Sequence, residues 1–84
     1  MLAILADDPT GALDSAAPFA GRGLHTEVVL QPDAILAALQ EKPAVLSVNV
    51  GSRDLDEQGA KRETEHVLSL LPEGTVLFKK VDSR

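Results

Sequence analysis

Cysteine is absent from this 84-residue chain, and so are tryptophan and tyrosine. Without a thiol there is neither a disulfide framework nor a thiolate metal site. Phe19 and Phe78 are the only aromatic residues, which leaves no platform on which bases could stack. Basic charge is also scarce: 8 Lys and Arg stand against 13 Asp and Glu, for a net charge of −5. That balance argues against nucleic acid as the main partner. No apolar run approaches the roughly 20 residues that a membrane span needs. The N-terminus enters a strand directly, with neither a basic region nor a cleavage signal. His25 and His66 have no ligand partner at metal spacing. The expectation from these absences is a cytoplasmic domain with no membrane or nucleic-acid partner.

What is present suits a small folded unit. Apolar residues make up 44% of the chain, enough for a core. A domain of this size buries roughly 60% of its unfolded surface. The chain is organised around Ala6-Asp7-Asp8-Pro9-Thr10-Gly11-Ala12-Leu13-Asp14. Before it, residues 1–6 form a continuous apolar run of buried-strand length. After it, Leu13, Ala16, Ala17 and Ala20 recur at helical spacing. Thr10 is a suitable cap for that helix, and Gly11 removes a side chain where a substrate approaches the backbone. Two carboxylates thus sit between a buried strand and a helix N-terminus, where ligands bind in open parallel sheets.

Strand and helix signals alternate along the rest of the chain. The first helix runs from about residue 11 to 22, with Pro18 expected to bend it near Asp14. Residues 25–30 read as a second strand. Pro32-Asp33 opens a short helix carrying Ile35, Leu36 and Leu39, which Pro43 closes. Residues 44–50 form a third strand, mostly apolar on both faces, followed by a turn at Gly51-Ser52-Arg53-Asp54. Asp56 caps a third helix that reaches Leu71, with Ala60, Thr64, Val67, Leu68 and Leu71 on one face. Residues 75–81 are a fourth strand.

Such alternation predicts an α/β fold: a three-layer, Rossmann-like parallel sheet of four strands with three helices, joined by right-handed crossovers. Of the two reasonable strand orders, 2-1-3-4 is favoured, because a single-direction order leaves one face of the sheet bare. The turn holding Asp7 and Asp8 then lies beside Ser52 and Arg53, at a topological switch point. Lys79, Lys80, Asp82 and Ser83 emerge on the same edge, one strand further along. Such a rim suits a polyhydroxylated anion: Arg takes a carboxylate bidentately, Lys neutralises charge and Asp accepts from hydroxyls. Each residue also has a plainer role, since Asp favours turns and a Lys pair blunts an edge strand. Asp14 either faces the site or caps locally. The favoured order sets the first helix alone on one face, leaving Leu46, Val48, Val76 and Phe78 uncovered, and so predicts a homo-oligomer.

Three motifs carry a resemblance. Residues 6–14, with Ala16-Ala17-Pro18-Phe19-Ala20 and Gly23-Leu24-His25-Thr26-Glu27-Val28, are similar to the opening of the four-carbon acid sugar kinases. Val48-Asn49-Val50-Gly51-Ser52-Arg53 resembles that family's Asn-Thr-Asp-Ser-Arg turn. Phe78-Lys79-Lys80-Val81-Asp82-Ser83 resembles its Lys-Lys-x-Asp-Ser-Thr. The motifs follow in the family's order over the full chain. Val50-Gly51 replaces Thr-Asp, removing a hydrogen-bonding pair beside the substrate, and Arg84 stands where Thr is common.

The resemblance implies a two-domain, ATP-dependent enzyme that phosphorylates four-carbon sugar acids of the threonate, erythronate or 3-oxo-tetronate type. Because the family's chain is several times longer, residues 1–84 correspond to the N-terminal part of its sugar-acid-binding domain. The small-molecule partner is the sugar acid. Asp8 is implied to orient or deprotonate the substrate hydroxyl. Ser52, Arg53, Lys80 and Asp82 are implied to line the pocket, with Asp7, Thr10, Gly11, Asp14 and Ser83 beside them. The family's cofactors are ATP and Mg²⁺. This chain shows no Gly-x-x-x-x-Gly-Lys-Ser/Thr, so no cofactor site is expected within it, nor activity of the chain alone. Two other readings stand beside this one. A receiver-like Mg²⁺-binding domain shares the carboxylate pair and late-strand Lys, but needs an Asp near Asn49, Gly51 and Ser52. The other is a non-catalytic interaction module.

Overall fold

The structure is a computed structural model that describes residues 1–50 and 56–80. Four parallel strands, β1 (Leu2–Ala6), β2 (Thr26–Val29), β3 (Val45–Asn49) and β4 (Val76–Lys80), form one sheet. Three helices connect them: α1 (Pro9–Gly21), α2 (Ile35–Gln40) and α3 (Glu57–Leu70). A 3₁₀ turn over Pro32–Ala34 leads into α2. The α/β layering is as the alternation predicts.

The strand order is β2-β3-β1-β4, which corrects the favoured 2-1-3-4 by exchanging β1 and β3. Burial alone does not separate the two orders, because both strands are apolar and almost wholly buried. Helix lengths do follow the observed order: the link between β2 and β3 carries the shortest helix, the six-residue α2. In the observed order α2 joins neighbours, and the longer α1 and α3 make the two crossings that skip a strand.

Right-handed crossovers place α1 on one face and α2 with α3 on the other. Leu5, Val29, Leu46, Val48 and Val50 point from the sheet into the second face, where Ile35 of α2 and Val67 of α3 meet them. On the first face, the small Ala12 and Ala16 let α1 approach the sheet closely. The Ser47 hydroxyl there donates to the Ala12 carbonyl at 2.7 Å. Leu46 and Val48 are therefore fully buried, against the expectation that they lie bare. They sit on the interior strand β3 and face α2 and α3. Val76 and Phe78, on the edge strand β4, are exposed as expected. Helix α1 packs over β1, β2 and β3 and barely reaches β4.

Helix boundaries follow local chemistry. Asp56 caps α3 as the sequence predicts, its Oδ1 accepting from the Gly59 N–H at 2.7 Å. α1 begins at Pro9, earlier than expected, and continues through Pro18. Among the described residues, no helix is long and apolar enough to cross a membrane.

Candidate functional site

The carboxyl end of β1 is flanked on both sides. Ala6 pairs with Asn49 of β3 and with Lys80 of β4. The Val50 N–H extends the first ladder by donating to the Ala6 carbonyl at 2.8 Å. The chain leaves β1 for the α1 face and leaves β3 for the opposite face. Neighbouring strands whose connections diverge in this way open a crevice at their carboxyl ends. The exchange of β1 and β3 thus preserves a switch point after Ala6. It also moves β4: Lys80 lies beside β1 itself, not one strand further away.

Asp8 holds the centre of this rim. Its backbone is extended, with φ −148° and ψ 164°, and it is the N-cap of α1. Oδ1 accepts from the Gly11 N–H at 2.6 Å, and the Asp8 carbonyl accepts from the Ala12 N–H at 3.1 Å. The expected cap, Thr10, is instead an exposed residue of the first turn. Pro9 explains the shift. It fits the first helical position, where no N–H is needed, and this makes the preceding residue the cap. A Cβ at Gly11 would lie 2.9 Å from Asp8 Oδ1 and 3.6 Å from the Ala6 Cβ. The missing side chain therefore makes room for the Asp8 carboxylate. Asp7 precedes it, half-buried.

Asn49 was not among the predicted site residues, although its motif was. It is a buried amide at the end of β3, and its Nδ2 donates to the Leu30 carbonyl at 3.2 Å. That bond ties the exit of β2 to the rim. The signal in the sequence was the one amide within residues 44–50. Val50, by contrast, belongs to the apolar core with Leu5 and Val67. Valine in place of threonine there alters a core position and removes no group from the rim.

Asp14 is exposed further along α1 and borders an apolar groove with Leu2, Ile4, Ser15, Phe19 and Phe78. Six residues separate it from Asp8, about one and two-thirds turns. Ser52, Arg53, Asp82 and Ser83 lie outside the described residues. Lys79 is exposed in β4. His25 Nε2 lies 2.7 Å from Glu27 Oε2, an exposed surface pair. Among the described residues, no group of three or more His, Cys, Asp or Glu is placed to hold a metal ion. Nor does the turn at Gly11 supply a glycine-rich phosphate cradle.

Fold and rim together define an α/β domain with a polar site at the carboxyl ends of parallel strands. Residues 2–84 match the model of a family described as a sugar-binding N-terminal domain, and the chain belongs to that family. No curated protein and no solved structure matches it.

Proposed function

We propose that this sugar-binding domain takes a four-carbon sugar acid at the rim after β1, and that it is the acceptor-binding part of an ATP-dependent kinase. The observation that carries the reading is the position of Asp8. It lies two residues beyond Ala6, which pairs with Asn49 on one side and Lys80 on the other. Asn49 and Lys80, one residue from each of the other two motifs, therefore flank the strand that leads to Asp8.

Each residue then has a role that its chemistry fits. Arg53 pairs bidentately with the substrate carboxylate, and Lys80 adds a compact positive charge. Ser52, Asp82, Ser83, Asp7 and Thr10 bond the sugar hydroxyls, and Asp14 lies at the outer margin. Asp8 accepts the proton of the hydroxyl that is phosphorylated. Its carboxylate is already fixed by the cap, so little orientational freedom is lost when substrate arrives. The phosphoryl donor is held outside these residues.

Calorimetric titration of the chain with threonate, erythronate and neutral erythritol tests the reading. Saturable binding of the acids and none of erythritol is expected. A response to erythritol equal to that of the acids would overturn it, as would none to either acid. The purified chain should also consume no ATP with these acids.

A further inference from the structure

Asn49 ends the interior strand β3 and carries a bond that the binding roles above leave unused. The register of β2 with β3 ends at Val29 and Val48, so Leu30 and Asn49 come next along the two strands. There the attachment passes from backbone to side chain, with Asn49 Nδ2 donating to the Leu30 carbonyl at 3.2 Å. On the other side of β3 it is backbone again, the Val50 N–H donating to the Ala6 carbonyl at 2.8 Å. Asn49 and Val50 thus join the carboxyl ends of β2, β3 and β1. Beyond Leu30, Gln31 opens the 3₁₀ turn, its carbonyl accepting from the Ala34 N–H at 3.0 Å.

The amide lies on the same face of the sheet as the Asp8 cap. The Ser47 hydroxyl reaches Ala12 of α1, and Asn49, two residues on, shares its side of the strand. Ala6 is the in-register partner of Asn49. A Cβ at Gly11 would come within 3.6 Å of the Ala6 Cβ and 2.9 Å of Asp8 Oδ1, so these residues border one corner. A buried amide costs free energy unless it is bonded, and an apolar residue would serve packing alone. The Leu30 carbonyl only accepts, which fixes the end of the amide that faces it. The bond therefore holds the exit of β2 in a set position beside the crevice.

We propose that Asn49 is a positioning residue for the sugar acid. By tying the exit of β2 to the rim, it sets the preference between acids that differ only in the configuration of an inner hydroxyl. The inference rests on the reading of the rim given above. Threonate and erythronate carry the same groups and the same charge, so the cationic side chains draw both alike. Only the fixed position of the walls around the inner hydroxyls tells the two apart. A displaced wall leaves a polar group unpaired for one acid and not for the other.

The ratio of the two affinities tests this, because it cancels every effect common to both acids. A smaller folded fraction weakens both equally, and so does the charge that Asn49→Asp introduces. In calorimetric titration the wild-type affinities for threonate and erythronate should differ roughly tenfold or more. Asn49→Asp puts an acceptor of the same shape in place of the donor and should shift that ratio by roughly tenfold. Asn49→Ser, too short to reach Leu30, should shift it likewise. Val67→Ala, in the α3 core on the opposite face, should lower the urea midpoint and leave the ratio unchanged. A wild-type ratio kept by either folded Asn49 variant would overturn the proposal. So would equal affinities in the wild type, or a ratio shifted as far by Val67→Ala. If neither Asn49 variant folds, the amide serves stability and the proposal fails. Binding of neither acid by the wild type overturns the reading of the rim itself, which the other outcomes leave standing.

Discussion

The Ser47 hydroxyl of β3 donates to the Ala12 carbonyl of α1 at 2.7 Å, between two fully buried residues. It is the side-chain bond that pins the first turns of α1, and with them the Asp8 cap, onto the neighbouring strand. Ser47→Ala should lower stability by about 1 kcal/mol, the usual worth of such a bond. Ser47→Val should cost more, because it adds bulk where the hydroxyl meets backbone. Urea denaturation followed by circular dichroism checks both.

Asp8 serves the fold and, on our proposal, the chemistry, and two substitutions separate those uses. Asparagine caps about as well as aspartate, whereas alanine costs about 1 kcal/mol. Asp8→Asn should therefore keep its urea midpoint close to wild type, while Asp8→Ala should fall measurably. In the proposed kinase, Asp8→Asn should lower kcat more than it raises KM. Denaturation curves beside steady-state kinetics distinguish the two effects.

Gly11→Ala sets two effects of similar size against each other. Replacing a helical glycine gains up to about 1 kcal/mol of propensity. The new Cβ, 2.9 Å from Asp8 Oδ1, displaces the cap, which loses about 1 kcal/mol. Net stability should change by less than about 1 kcal/mol, because gain and loss nearly cancel. Sugar-acid affinity should nonetheless drop, since the carboxylate has moved. Thermal melts and calorimetric titration read the two quantities separately.

Arg53→Ala should cost roughly 2–4 kcal/mol in kcat/KM if its guanidinium pairs with the substrate carboxylate. Neutral erythritol should remain unbound, as with the wild type. Kinetics within threefold of wild type would assign the carboxylate to another group.

The element types, the cap at Asp56 and the position of the polar rim after the first strand were all legible in the sequence. Each depends on local chemistry: apolar runs, helical spacing, proline, and short polar residues at helix starts. The identity of the α1 cap was less so, because Asp8 and Thr10 are both good caps. Pro9 decided it by fitting the first helical position. Position 50 was also misread. Beside a polar turn it looks like part of the site, yet strand alternation sends its side chain into the core.

Periodicity and turn chemistry thus determined an α/β layering with polar residues after β1 and a helix split of one against two. Tertiary structure alone decided the order β2-β3-β1-β4, and so the placement of Lys80 directly beside the Asp8 strand. The physical reason is a degeneracy. β1 and β3 are both buried on two faces, so neither pattern says which lies further inside. The choice is made only when helices and strands pack together, with α2 joining neighbours while the longer α1 and α3 each cross a strand.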